Sequence, residues 1–358
     1  MAVRLTLLLC LFSSMALAGP YEMRQVITGI TVPWGMVQLA DGQFLVTDRA
    51  GKLYRADPAT DTKIEITGLP EIEVTGQGGL LDIELHPDFV ANRWVYLSYA
   101  SAAGAGSGSN TAIVRARLEG QSLVDLTQLY KAPNTRGGRH FGSRIEFDSQ
   151  GYLYFSIGDR GNESENPQDI SRDNGKVYRL HDDGRIPDDN PFVNNKNARA
   201  AIYSYGHRNP QGMVRHPQTG AIWIHEHGPR GGDEINLIAR GKNYGWPVIT
   251  YGINYNGTKI TDLTHKEGME QPLYFWDPSI APSGMTFVTS ELYPEWQGHL
   301  LVGSLKFGYL VLCKLDGNKV VATETVLEGV GRVRNVKQMP DGYIYVATDG
   351  NGIYQVLP

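Results

Sequence analysis

The segment "GGRHFGSRI" places His140 between glycines, whose missing side chains let the backbone come close to a ligand. An imidazole titrates near pH 6.5, so at such a position it either serves as a general base or stands as a structural side chain. Nineteen residues on, "YFSIGDRGN" ends a second alternating stretch in Asp159. A carboxylate there either orients the imidazole and stabilises its protonated form, or bonds its own turn. A third segment, "YGHRNPQGM", sets Arg208 and Asn209 before Pro210, where a strand must start. A guanidinium in that place either polarises an oxygen that gains negative charge or pairs with a structural carboxylate.

Arg332 and Arg334 in "GRVRNV" stand two apart, so an extended strand points both to one side. Like charges at that spacing are tolerated when solvated and favoured when an anion lies between them. Lys306 in "GSLKFG" adds a third cation, a set suited to a polycarboxylate or phosphate. The run "EHGPRGGDEINLI" is rich in hard oxygen donors, with the carbonyls of Gly228 and Pro229 beside Asp233 and Glu234, the donor type that calcium takes. His225 and His227 share a spacing of two, but no third nitrogen or sulfur ligand accompanies them, which argues against zinc. Phosphate-binding loops, nucleophile elbows and zinc-protease motifs do not occur.

Positioning these groups falls to a repeated unit. "WGMVQLADGQFLVTDRAGKLYR" from Trp34, "FGSRIEFDSQGYLYFSIGDRGN" from Phe141, "PQGMVRHPQTGAIWIHEHG" from Pro210 and "VRNVKQMPDGYIYVATDGNGIYQV" from Val333 share one form: strand, tight turn, alternating strand. Looser copies begin at Gly79 and Ser283. Glycine at 42 and tyrosine at 19, with no sustained helical spacing, agree with many short strands. Six copies, each somewhat longer than the roughly 40–50 residues of common propeller repeats, predict an all-β six-bladed β-propeller of four-stranded antiparallel sheets with extra loop. The closing "GIYQVLP" is expected to pair with the opening "YEMRQVITG". A β-sandwich is the competing fold.

Residues 1–18 follow another pattern: Arg4, the apolar "LTLLLCLF", then "ALA" before Gly19, which reads as a secretory signal peptide cleaved after Ala18. Residues 19–358 would then form one periplasmic or secreted catalytic propeller without membrane insertion. Cys313 would be its only cysteine, so no internal disulfide is available. Removing Arg4 takes the formal charge from 33 − 38 = −5 to 32 − 38 = −6, which gives no support to a nucleic-acid partner.

The ordered set "GQGGLLDIELHPDF", "RHFGSRIEFDSQGYLYFSIGDRG", "YGHRNPQGM", "EHGPRGGDEINLIARGKNYGWP", "GSLKFG" and "GRVRNV" resembles the soluble sugar dehydrogenases that depend on pyrroloquinoline quinone (PQQ), most closely their shorter, periplasmic aldose sugar dehydrogenase branch. The resemblance implies oxidation of an aldose at its anomeric carbon to the lactone by hydride transfer to the quinone. His140 would be the base, Asp159 its orienting partner and Arg208 the stabiliser of the quinone oxygen. It also implies cofactor contacts from Gln77, Arg208, Asn209, Tyr255, Lys306, Arg332 and Arg334. Calcium would be held through Gly228 and Pro229, and further calcium through Glu234 and Tyr244. Compared with the longer glucose-specific enzymes the chain has little room for extra loops, which implies a broad aldose range, a monomer and an external electron acceptor. Two rivals share the scaffold: a calcium-dependent lactonase, which would open lactones without quinone, and a non-enzymatic binding propeller, which would ignore sugar.

Overall fold

The computed structural model describes residues 21–358, so the signal-peptide reading of residues 1–18 lies outside the described residues. The described chain is six four-stranded antiparallel sheets in a ring, a six-bladed β-propeller. Every sheet begins with an inner strand at the axis: Pro33–Gln38, Leu80–Leu85, Ile145–Phe147, Pro210–Arg215, Pro282–Phe287 and Val333–Gln338. These are the starts of the six repeats read in the sequence. Each inner strand neighbours the next, and the last returns to the first. The one α-helix among the described residues is the single turn Phe89–Asn92.

Closure follows the expected pairing. Glu22–Ile27 runs antiparallel to Gly352–Leu357, with Glu22 opposite Leu357 and Gln25 opposite Tyr354, so the first strand completes the last blade. This closes the ring and leaves only the outer strand of each blade as an edge. The repeat's turns take the residues they require: Gly42 and Gly342 adopt φ of 82° and 85°, and the Gly42 and Gly342 N–H groups donate to Leu39 and Met339 O at 2.9 Å.

Burial falls from axis to rim. Phe44–Asp48, second from the axis, is buried throughout, whereas Thr62–Ile66 at the outer edge is mostly exposed. Period-2 alternation gives each sheet two apolar faces, and neighbouring blades cover them mutually. Val37, Leu45 and Leu53 of the first blade meet Leu80, Ile83 and Leu97 of the second. Trp223 and Ile235 of the fourth meet Met285, Leu300 and Val302 of the fifth. Each fully buried aliphatic or aromatic side chain of this kind contributes about 1.5–3 kcal/mol, so the blade interfaces dominate stability.

At the axis, Arg144 ties the ring together. Its Nε donates to Gln211 O (2.8 Å), Nη1 to Trp34 O (3.2 Å) and Asp82 Oδ1 (3.1 Å), and Nη2 to Arg334 O (3.0 Å). One guanidinium from the third blade thus bonds the first, second, fourth and sixth. Asp82 Oδ2 completes its own pairing by accepting from Ile145 N at 2.9 Å.

Candidate active site

The loops that precede the inner strands gather at one mouth of the ring. His140 leads into the third inner strand with φ of 56°, a left-handed conformation rare for a non-glycine residue. Strain of that kind costs about 1–3 kcal/mol and must be held by its surroundings. Here the backbone N–H of His140 donates to Gln77 Oε1 at 2.8 Å, while Gln77 N donates to Gly138 O at 2.7 Å. The loops are in such close contact that a Cβ on Gly76 would lie 2.2 Å from Gly138 O.

His140 Nδ1 lies 2.6 Å from Asp159 Oδ1. Asp159 is fully buried and also accepts from Gly161 N (2.6 Å) on Oδ1 and from Trp246 Nε1 (2.9 Å) on Oδ2. Gly161 N–H and Trp246 N–H donate to a carboxyl that is held low and therefore ionised, so His140 Nδ1 donates to it as well and leaves Nε2 as the basic nitrogen. Burial pulls the His140 pKa below its ordinary value; the Asp159 bond opposes this and the Arg208 charge adds to it. For Asp159 burial is the largest influence and acts upward, but the His140 bond and charge, Gly161 N–H and Arg208 outweigh it and hold the carboxyl low.

Arg208 is buried beside this pair. Its backbone C=O accepts from Asp159 N at 2.8 Å and its N–H donates to Glu226 Oε2 at 2.6 Å. Its guanidinium Nη1 donates to the carbonyls of His227 (3.1 Å) and Gly228 (2.7 Å), with Trp246 alongside at 5.4 Å from the ring centre. The arginine read from the sequence as an oxygen stabiliser and a carbonyl read as a calcium donor are therefore in contact with each other.

A cavity of about 210 Å³ opens here, lined by Gln77, Asn209, His227, Arg332 and Arg334 together with Trp34 and Arg49. Gln77 spends its carbonyl oxygen on His140 N, and Asn209 spends Oδ1 on Gly142 N at 3.1 Å, so both amides keep their NH2 donors for a ligand. The like-charge problem of Arg332 and Arg334 has a local answer that the sequence reading did not find. Asp349 stands between them, accepting from Arg332 Nε (3.1 Å) and from Arg334 Nε (3.0 Å) and Nη2 (2.7 Å). Lys306 Nζ donates to Ser279 O at 3.2 Å and lies over the Phe307 ring. Tyr255 is 74% exposed on the loop between the third and fourth strands of blade four, two residues past Ile253, which bridges to Arg230.

The carbonyl loop fits a hard cation in its chemistry. A Cβ on Gly228 would come within 2.3 Å of both Gly231 O and Gly232 O, which shows how closely the oxygens gather. Asp233 is a brace here: Oδ1 accepts from Gly228 N (2.8 Å) and Ser279 Oγ (3.0 Å), and Oδ2 from Ala281 N (2.8 Å). Behind the loop, Glu226 and Glu234 face one another across Asn236, whose Nδ2 donates to both at 3.1 Å while its Oδ1 has no partner. Burial and the Glu226 charge push Glu234 far above the usual carboxylate range. Glu226 Oε1 also lies 2.9 Å from His207 Nδ1, and the two carboxylates offer oxygen donors of the type a hard cation takes. Tyr244 lines the same small cavity, but its hydroxyl accepts from Ala239 N at 2.9 Å and donates to Leu237 O. Any ligation from Tyr244 would come through its backbone carbonyl.

The histidines weighed for zinc turn elsewhere. His225 Nε2 lies 3.3 Å from Gly284 O, and His227 Nε2 2.7 Å from Pro282 O, both on the next blade's inner strand. Burial brings His227 down to about 3, helped by the charges of Arg208, His140 and Arg334, so it stays neutral. Trp246, Glu226 and Asp349 were missed as site residues by sequence reasoning, and His227 was weighed only as a zinc ligand. For Trp246 no local spacing signals the role, because it comes from a loop 87 residues from Asp159; Asp349 flanks the hairpin that Val333 begins, as Asp159 flanks its own, so that spacing could have found it.

A family model described as glucose/sorbosone dehydrogenase matches residues 30–355. The chain belongs to the glucose/sorbosone dehydrogenase family. It is 42% identical over 324 residues to the aldose sugar dehydrogenase YliI of Escherichia coli, covering 88% of this chain and 87% of that one. Among solved structures, the apo form of the soluble E. coli aldose sugar dehydrogenase superposes with a TM-score of 0.88 at 38% identity, covering 94% of this chain and 99% of that one. The PQQ-bound aldose sugar dehydrogenase of Streptomyces coelicolor does so with a TM-score of 0.78 at 28% identity, covering 94% and 98%.

Proposed function

We propose that this protein is a PQQ-dependent dehydrogenase that oxidises aldoses at the anomeric carbon to lactones. The observation that carries the reading is the His140–Asp159 pair at 2.6 Å, beside a cavity whose walls present amide NH2 groups and guanidinium ions. The family relationship supports it, since one relative in the family is named for PQQ binding and several for aldose or glucose oxidation.

His140 Nε2 takes the proton of the anomeric hydroxyl, while Asp159 keeps the ring oriented and balances the positive charge that results. Arg208 supplies positive charge beside the reacting centre. Lys306, Arg332 and Arg334, with the free amide groups of Gln77 and Asn209, hold the anionic cofactor, and Tyr255 covers it from the rim. When bound, PQQ supplies the two-electron acceptor for the hydride leaving the sugar. Calcium would be held by the carbonyls of Gly228 and Pro229, and further calcium by Glu234 with Tyr244, contributing Lewis-acid charge.

Residues 1–18 direct export to the periplasm or beyond, and the mature propeller acts as a monomer that passes electrons to an external acceptor. Among the described residues no helix is long and apolar enough to cross a membrane.

Reconstitution tests the reading. Purified protein titrated with PQQ, with and without calcium, is expected to reduce a dye in the presence of aldoses only when quinone is added. Lactone hydrolysis without quinone, or no quinone binding at all, would overturn it.

A further inference from the structure

We propose that Arg49 is a further anion-recognition residue of the cofactor cavity, supplied by the first blade and contacting a carboxylate of the bound quinone. The proposal rests on the quinone reading above and adds a residue to it. Arg49 follows the second strand of the first blade, Phe44–Asp48, and lines the same cavity as Gln77, Arg332 and Arg334.

Its electrostatic state differs from that of its neighbours. Arg332 and Arg334 share the Asp349 carboxylate, so two positive charges and one negative leave a net single charge on that side. Arg49 Nη1 donates to a neutral carbonyl, Gly76 O, at 2.8 Å, and among the described residues no carboxylate pairs with it. An uncompensated guanidinium attracts an anion more strongly than one already neutralised.

Its placement is also fixed. A Cβ on Gly79 would sit 1.9 Å from Arg49 O and 2.8 Å from Arg49 Cγ, so the loop of residues 75–79 wraps closely around this side chain. The bond to Gly76 O then anchors one edge of the guanidinium, one residue before Gln77, whose carboxamide faces the same cavity. The remaining N–H groups present a planar fork suited to a carboxylate.

The test compares PQQ with its trimethyl ester, which keeps the ring system but lacks the three anionic groups. Both are titrated into apoprotein and followed by quenching of tryptophan fluorescence, for which Trp34 in the cavity wall is a reporter. Arg49→Gln is expected to weaken PQQ binding about tenfold or more, leave ester binding within about twofold, and flatten the salt dependence of PQQ affinity. Arg49→Lys keeps the charge and is expected to retain the preference for acid over ester. An equal loss for acid and ester in Arg49→Gln, or loss of the preference in Arg49→Lys, would show a role in loop shape and overturn the proposal, as would unchanged affinities. Failure of wild-type protein to bind either compound would overturn the quinone reading itself and this proposal with it.

Discussion

Replacing Asp159 by asparagine poses a hydrogen-bond problem that the structure makes countable. Three N–H groups converge on the carboxylate, from His140, Gly161 and Trp246, at 2.6, 2.6 and 2.9 Å. Asparagine offers one oxygen and one NH2. With the oxygen toward His140 and Gly161, the NH2 confronts the Trp246 N–H; with it toward Trp246, the NH2 confronts Gly161 N–H and forces His140 to accept at Nδ1. The second arrangement puts the ring proton on Nε2 and removes the base. Both leave a buried donor unpaired, a loss of about 1–3 kcal/mol in stability. Loss of the correct tautomer and of the balancing charge is expected to lower kcat by roughly 10³–10⁴, about 4–5.5 kcal/mol in the barrier. Quinone affinity should stay within about tenfold, because Asp159 does not line the cofactor cavity. The pH profile supplies a second check. The Asp159 bond raises the His140 pKa, so residual activity of the variant should persist to lower pH than in wild type. Steady-state dye reduction after PQQ saturation, with thermal unfolding run in parallel, measures all of this. Activity within about tenfold of wild type in a folded, quinone-loaded variant would refute the assignment of this pair as the proton-transfer machinery.

Other expectations follow from the same structure. His140→Ala should abolish turnover while quinone titration stays within about tenfold of wild type. Because burial lowers the His140 pKa, the imidazole remains an unprotonated base down to below about pH 6.5, and the acid limb of kcat/KM should fall beneath that value; a limb above pH 7 would contradict the base assignment. The raised pKa of Glu234 means that the calcium-free protein keeps a proton there which the unfolded chain has lost, so this residue's contribution to stability declines as pH rises above the ordinary carboxylate range. Calcium should reverse that decline, releasing protons as it binds, and Glu234→Gln should weaken calcium about tenfold or more by calorimetry while leaving calcium-free stability unchanged or higher. Arg144→Met should cost about 3–5 kcal/mol in denaturant unfolding, since it leaves Asp82 buried without its cation and four blades without their shared donor.

Much of the architecture is written locally. The alternation of apolar and polar residues, the Asp-Gly turns and the sixfold recurrence of one strand–turn–strand phrase determine blades, their number and even the pairing of the first strand with the last, because sheet formation and turn geometry depend on near neighbours. His140 and Asp159 are legible for the same reason: they flank one hairpin, and a hairpin brings its ends together. Arg332 and Arg334 are legible as a same-face pair by period-2 spacing, but not their charge state, which depends on Asp349 entering from the next turn. The grip of Trp246 on Asp159 comes from a loop 87 residues away, and although Arg208 and Gly228 flank one hairpin, the side-chain conformation that sets the guanidinium on Gly228 O beside Trp246 is fixed by packing. Such contacts carry no sequence period, since they depend on how side chains from separate loops pack at the mouth. The residue types at the mouth therefore announce an acid–base pair, a cationic wall and an oxygen-rich loop. Which charge meets which, and which polar atoms are left free for a ligand, is decided by the tertiary structure alone.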